Sequence, residues 1–224
     1  MSGGSPRARS ARGFLESGTG PARCETAVPP DSRASARRIW HGFQSPPRGL
    51  VDAAGYVVDA LPGGTGKVHE HPSPPPPDAL DAIAALLPSP LQGALRRTLQ
   101  WYACRGAFFH TDAHFAGVLF GVWCIRGPAR EIAFSRLRLR APAAAGDAVV
   151  FDPFEPHAVL DPRQPTYHAE HYLGTEPSVF VGFELALQPV IREAFGVDPE
   201  AVADAPRLSS RSAVNAETGA LAAT

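Results

Sequence analysis

A chain of 224 residues suits one core with ragged ends better than two separate domains, and 44% apolar against 19% charged residues is enough to bury that core. With 21 basic and 22 acidic residues the formal net charge is −1, which excludes a global field drawing the protein to nucleic acid or to an anionic membrane. Function therefore has to be sought in a local site.

Residues 1–38 are rich in Gly, Pro, Ser and Arg and poor in large apolar groups, so a disordered lead is expected there. Its Arg- and Ser-rich opening imitates an organelle transit peptide, but Glu16 and the weak amphipathic pattern argue against one. A single ordered domain is expected over 39–198, followed by a loose tail over 199–224. Early in that domain "GYVVDAL" reads as a short strand. The next stretch, "LPGGTGKVHEHPSPPPPD", is a loop by its Gly and Pro punctuation. Its "GGTGK" invites a phosphate-loop reading, which fails because Leu61 stands where the first Gly is needed and Val68 where Ser or Thr is needed. Lys67 of that motif is the chain's sole lysine. His69 and His71 flank Glu70 in the same loop without strand support, so they are not read as metal ligands.

After the Pro run, "DALDAIAALL" carries Leu80, Ile83, Leu86 and Leu87 at helical spacing, with Asp78 placed to cap the first turn. A second helix is predicted over 90–100 from Pro90 in its first turn and Leu91, Leu95 and Leu99 along it. From 101 to 187 the texture becomes short β segments: "GAFFHTD", "GVLFGVWCI", "EIAFS", "LRLRA", "DAVVFDP", "HAVLD" and "SVFVGFELAL". Strands at this spacing predict a mainly-β jelly roll preceded by two helices, with a closing helix at "PVIREAFGV". Trp101, Tyr102 and Trp123 are read as core, and the "RLRLR" run as a solvated strand face.

The three cysteines, Cys24, Cys104 and Cys124, form no CxxC pair, and their odd number argues against a disulfide framework. No apolar run approaches the ~20 residues that span a bilayer, and no secretory signal opens the chain. A reducing, cytoplasmic setting is the expectation.

The stretch that carries chemistry is "FFHTDAHFAG". His110 and Asp112 stand at i and i+2, so a strand that stays extended points both to one side. Phe108, Phe109 and Phe115 imply a buried neighbourhood, where an unpaired carboxylate is costly. Further on, "GDAVVFDPFEPHAVLD" brings a Gly-Asp turn, an apolar strand, a Pro-bounded corner and then His157 at the start of another strand, the natural third ligand. Two imidazoles and one carboxylate on one face of a metal leave the opposite face open, the arrangement that suits non-haem Fe(II) and O2 chemistry. His114 is read as a residue of the pocket, and His168 and His171 as lining either a substrate entrance or a solvated loop.

Over about residues 100–187 the sequence resembles the Fe(II)- and 2-oxoglutarate-dependent oxygenases: His110-Thr111-Asp112 matches their His-x-Asp motif, and His157 with its lead-in matches their distal His. The resemblance implies a distorted jelly roll, also called a double-stranded β-helix and cupin-like, with Fe(II) held by His110, Asp112 and His157. It also implies that 2-oxoglutarate is decarboxylated with O2 while a small-molecule C–H bond is hydroxylated or otherwise oxidised. Asp112, where halogenating members have a small residue, favours hydroxylation. Most members place an Arg or Lys about ten residues after the distal His, at the start of the last strand, against the far carboxylate of 2-oxoglutarate. Here that place holds Pro177 and Ser178. Arg163 is the first candidate to replace it, Arg126 the second, and Arg136, Arg138 and Arg140 on one strand face the third. Two other readings stay open: a cupin-type metal enzyme that does not use 2-oxoglutarate, and a non-enzymatic jelly-roll binding domain.

Overall fold

The computed structural model describes residues 14–15, 39–61, 64–115, 117–197 and 214–221. The expected lead over 1–38 lies outside them except for β1 (Phe14–Leu15), which pairs with β2 (Ile39–Phe43). The chain continues through β3 (His69–His71), β4 (Leu95–Cys104), β5 (Ala107–His110), β6 (Val118–Arg126), β7 (Arg130–Phe134) and β8 (Leu139–Ala143). Then come β9 (Asp147–Phe151), β10 (His157–Leu160) and β11 (Ser178–Ala186). The strands form two antiparallel sheets, a large one ordered β1-β2-β9-β6-β11-β4-β3 and a small one ordered β5-β10-β7-β8. From β4 to β11 the chain passes back and forth between the sheets, so that β4-β11-β6-β9 faces β5-β10-β7-β8. This is the expected mainly-β, cupin-like double-stranded β-helix.

The packing follows from alternation along the strands. Tyr102, Phe120, Phe180, Ile132, Phe134, Phe151 and Val159 meet between the sheets. The other face of the large sheet carries Trp101, Leu119, Trp123, Val181, Phe183 and Leu185, which pack under three helices. Those are α1 (Arg48–Asp59), α2 (Asp78–Leu86) and α4 (Pro189–Phe195), which contribute Leu50, Ala54, Val57, Ile83, Leu86, Ile191 and Phe195. A strand buried on both faces needs no polar alternation, and β11 accordingly reads as a nearly continuous apolar run. On the outer face of the small sheet, Phe109, Ala133, Ala158 and Leu160 lie under Tyr167 and Tyr172 from the long loop after β10. Among the described residues no helix is long and apolar enough to cross a membrane.

Several expectations are corrected. "GYVVDAL" is the end of α1 and not a strand, because Leu50, Ala54 and Val57 supply a buried helical face. The helix expected over 90–100 is a four-residue turn, α3 (Ser89–Gln92), followed by β4. Leu95 and Leu99, four apart, share a face in either conformation, and Trp101 and Ala103 extend that face at period two into the core under the helices. Asp78 lies inside the first turn of α2 with Pro77 at the N-cap, and it makes no capping hydrogen bond. Arg136 and Arg138 belong to the turn between β7 and β8, where Arg138 has a positive φ of 50°, so the three arginines share no strand face. The "RLRLR" run is also not simply solvated: Arg136 pairs with buried Glu155 at 3.6 Å and Arg140 with Glu131 at 2.8 Å.

The tail is ordered over Val214–Leu221, where a turn built on Asn215 is pinned against the small sheet. Phe109 N donates to Ala216 O at 2.9 Å, Tyr167 N to Glu217 O at 2.9 Å and Ser135 Oγ to Gly219 O at 2.7 Å. Gly219 has φ +70°, and a Cβ there would stand 2.5 Å from both Phe109 and Ser135, so only glycine allows this approach.

Candidate metal centre

His110 is the last residue of β5 and His157 the first of β10, and the two are direct cross-strand partners. Their ring centroids are 4.5 Å apart. Asp112 lies beyond the end of β5, so the extended geometry expected from the i, i+2 spacing does not persist. It is returned to the site by its backbone N–H, which donates to Pro153 O at 2.8 Å in the corner ahead of His157. One ligand atom from each of the three residues lies within 4.8 Å of the other two.

The tautomers follow from the partners of the rings. His110 Nδ1 stands 2.7 Å from Phe108 O and His157 Nδ1 2.9 Å from Glu155 O. A carbonyl only accepts, so each Nδ1 carries the proton and each Nε2 presents a lone pair inward. Asp112 completes the face, with Oδ1 3.6 Å from His110 Nε2 and Oδ2 3.4 Å from His157 Nε2. Two imidazoles, oriented by backbone carbonyls, and one carboxylate make a donor set that fits a divalent first-row metal with positions left over.

The electrostatics agree with that set. Burial, followed by the neighbouring His157, pushes the His110 imidazole down to about 4, against the opposing pull of Asp112. His110 is therefore neutral at pH 7, the form that binds metal. Burial also acts to raise the Asp112 carboxyl, but the His157 ring, and after it the His110 ring, outweigh it and hold Asp112 below the usual carboxylate value. The carboxylate is thus ionised.

The triad opens into a cavity of about 540 Å³ between the two sheets. Phe108, Phe115, Phe120, Phe151, Phe180 and Val122 supply much of its wall. Tyr102 adds a phenol whose ionisation is pushed up by burial and then by Glu70, so it remains a hydrogen-bond donor. Cys104 also lines the cavity; burial raises its thiol to about 11 and that of Cys124 to about 12, so neither is a thiolate nucleophile. Cys24 lies outside the described residues.

The remaining candidates divide clearly. His114 lines the cavity, exposed, with its ring 4.1 Å from that of Phe115, and is not one of the three converging ligands. His168 is hydrogen-bonded to Thr166 at 3.0 Å and lies edge to face with His171, and neither lines the cavity. His69 and His71 are on β3, a strand that the Pro-rich sequence hid, and neither faces the cavity. Neither predicted anchor for the far carboxylate is brought to the site. Arg163 is 84% exposed and pairs with Asp161, two residues away, while Arg126 closes β6 and pairs with Glu176 at 3.7 Å. Ser178, at the start of β11, is buried against Pro128 O.

Sequence reasoning passed over Lys67 and Glu70, both of which line the cavity. Their signal was hidden inside two motifs rejected on other grounds. It also passed over Arg130, a buried guanidinium at the start of β7.

No family model matches the sequence, and no curated protein matches it. Among solved structures, a prolyl-4-hydroxylase from Pseudomonas putida is similar at 15% identity and a TM-score of 0.40, over 67% of this chain and 93% of that one. A cupin 2 domain-containing protein from Halorhodospira halophila is similar at 15% identity and a TM-score of 0.29, over 62% of this chain and 81% of that one. The polyketide cyclase RemF from Streptomyces resistomycificus follows at 14% identity and a TM-score of 0.26, over 56% and 79%. On the order and pairing of its own strands, the chain is a mainly-β protein of cupin-like, double-stranded β-helix architecture.

Proposed function

We propose that this protein is a mononuclear non-haem Fe(II) oxygenase that oxidises a small molecule, with His110, Asp112 and His157 as the metal ligands and 2-oxoglutarate as cosubstrate. The observation that carries the reading is the one-sided triad itself: three ligand atoms within 4.8 Å, facing an apolar cavity of about 540 Å³. Fe(II) there would supply O2 activation. The chain's part is to fix the imidazole tautomers through Phe108 O and Glu155 O, to keep Asp112 ionised, and to exclude water with the aromatic wall. Tyr102 holds its proton within the cavity as a donor toward a substrate oxygen.

The residues fit the metal better than they fit 2-oxoglutarate. Among the described residues that line the cavity, the only Arg or Lys is Lys67, and it is exposed. That favours a second reading, a cupin-type Fe(II) enzyme that turns over its substrate without 2-oxoglutarate.

Anaerobic Fe(II) titration separates the two. A weak visible charge-transfer band that needs both Fe(II) and 2-oxoglutarate, and that is absent in Asp112→Ala, is the expected result. Tight Fe(II) binding without that band leaves the second reading, and Asp112→Ala binding Fe(II) as well as wild type overturns the ligand assignment in both.

A further inference from the structure

The segment Gly66–His71 crosses from one sheet to the other. At its start Gly66 is tied to the edge of the small sheet, its N–H donating to Gly106 O at 3.0 Å and its carbonyl accepting from Phe108 N at 3.1 Å. Gly66 is required there: its φ is +87°, and a Cβ would stand 2.7 Å from the Tyr167 hydroxyl. At its end the segment becomes β3 on the edge of the large sheet, with Glu70 directly opposite Tyr102 of β4. Lys67 and Val68 therefore span the gap between the sheets, and Lys67, Val68 and Glu70 all line the cavity that opens there.

This rim carries one cation and one anion three positions apart. Among the described residues neither the Lys67 ammonium nor the Glu70 carboxylate makes an ion pair or a side-chain hydrogen bond, although Glu70 is held in the β3–β4 ladder through its backbone. Elsewhere Arg126 pairs with Glu176, Arg136 with Glu155, Arg140 with Glu131 and His41 with Asp147. A ligand bearing only a carboxylate would meet Lys67 but be repelled by Glu70, and one bearing only an ammonium would meet the reverse. A ligand bearing both satisfies the rim, while its body enters a wall of Phe and Val side chains.

We propose that the Lys67–Glu70 rim is a zwitterion clamp, and that the cavity takes an α-amino acid, or a molecule with the same paired ammonium and carboxylate, whose large apolar side chain points between the sheets toward the triad. As a substrate class this rests on the oxygenase reading; as a binding site it stands apart from it.

The test is calorimetric titration of the full chain, metal-free and Mn(II)-loaded, with phenylalanine, leucine and tryptophan. Each is compared with the matched amine lacking the carboxylate and the matched acid lacking the ammonium. The best amino acid should bind roughly two- to fivefold tighter than either partner, the scale of one exposed ion pair. Lys67→Met should abolish the advantage over the amine, and Glu70→Gln the advantage over the acid; both side chains are exposed, so the fold is not at stake. Failure of every amino acid to bind, equal affinity for the singly charged analogues, or an unchanged ranking in both variants overturns the clamp. If the ranking holds but no Fe(II)-dependent oxidation follows, the oxygenase reading fails and the clamp remains. If an uncharged apolar molecule is oxidised without regard to Lys67 or Glu70, the reverse is true.

Discussion

Two arginines meet one carboxylate at the end of β10, and their surroundings give them different weights. Arg163 is almost wholly exposed, yet its hydrogen bond is the first cause of the Asp161 carboxyl being held down to about 2. Arg130 is buried at the start of β7, where it reaches Asp161 at 3.4 Å and the Thr175 hydroxyl at 3.2 Å and lies over the ring of Tyr172 at 5.2 Å. It is the guanidinium that ties the long loop after β10 to the barrel. Arg130→Met should lower stability by about 2–4 kcal/mol, the range for breaking a largely buried pair whose acid keeps a second partner. Arg163→Ala, on solvent, should move the urea midpoint much less, because water screens its pair with Asp161. Asp161 has a folded value below its unfolded one, so its stabilisation is complete above about pH 4 and is lost as pH falls through about 2. The gap between wild type and Arg130→Met should therefore narrow over that window. Equal midpoint shifts for the two variants at pH 7 would mean that burial does not distinguish them.

The ladder from β5 to β11 was legible as elements because Gly and Pro turns punctuate it, and β-branched and aromatic residues fill the segments between. The triad was legible in part because His110 ends one strand, His157 opens another and Asp112 is two residues from His110; that the two strands pair was not. What stayed hidden depends on long-range contact. Leu95 and Leu99 satisfy both periods, and only the packing of Trp101 and Ala103 under the helices decides for a strand. Val57 and Val58 favour a strand locally, but the apolar face they complete with Leu50 and Ala54 is helical. The segment 214–221 has a polar sequence, and its order comes from three hydrogen bonds to residues far away in the chain. Because Val214 and Ala216 line the cavity, this segment forms part of its wall. Deleting residues 214–224 should lower the melting temperature and raise the fluorescence of an apolar dye, as Phe109 and the cavity wall are uncovered. Gly219→Val, which collides with Phe109 and Ser135, should reproduce both effects with the segment still present. A truncated protein that melts and stains like the full chain would show that the segment does not hold this wall.

At the scale of the whole molecule, the site joins parts of the fold that would otherwise separate. His110 and His157 stand on neighbouring strands of the small sheet, Asp112 on the loop that leaves β5, and Pro153, which fixes that loop, on the corner between β9 of the large sheet and β10. A divalent ion bound to all three would cross-link β5, β10 and the link between the sheets, and an ion that binds only the folded chain raises its stability by mass action. At about a hundredfold excess over the dissociation constant the gain is about 2.7 kcal/mol, which for a domain of this size corresponds to a rise of about 5–10 °C in melting temperature. Mn(II), which matches the hard oxygen and imidazole donors without redox turnover in air, should produce that rise in the wild type. The nearly isosteric Asp112→Asn removes the charge but not the loop, so it should melt close to the metal-free wild type and shift by no more than a degree or two on adding Mn(II). An equal rise in both proteins would place the ion elsewhere on the molecule, and no rise in either would mean that the two imidazoles and the carboxylate meet without holding a metal.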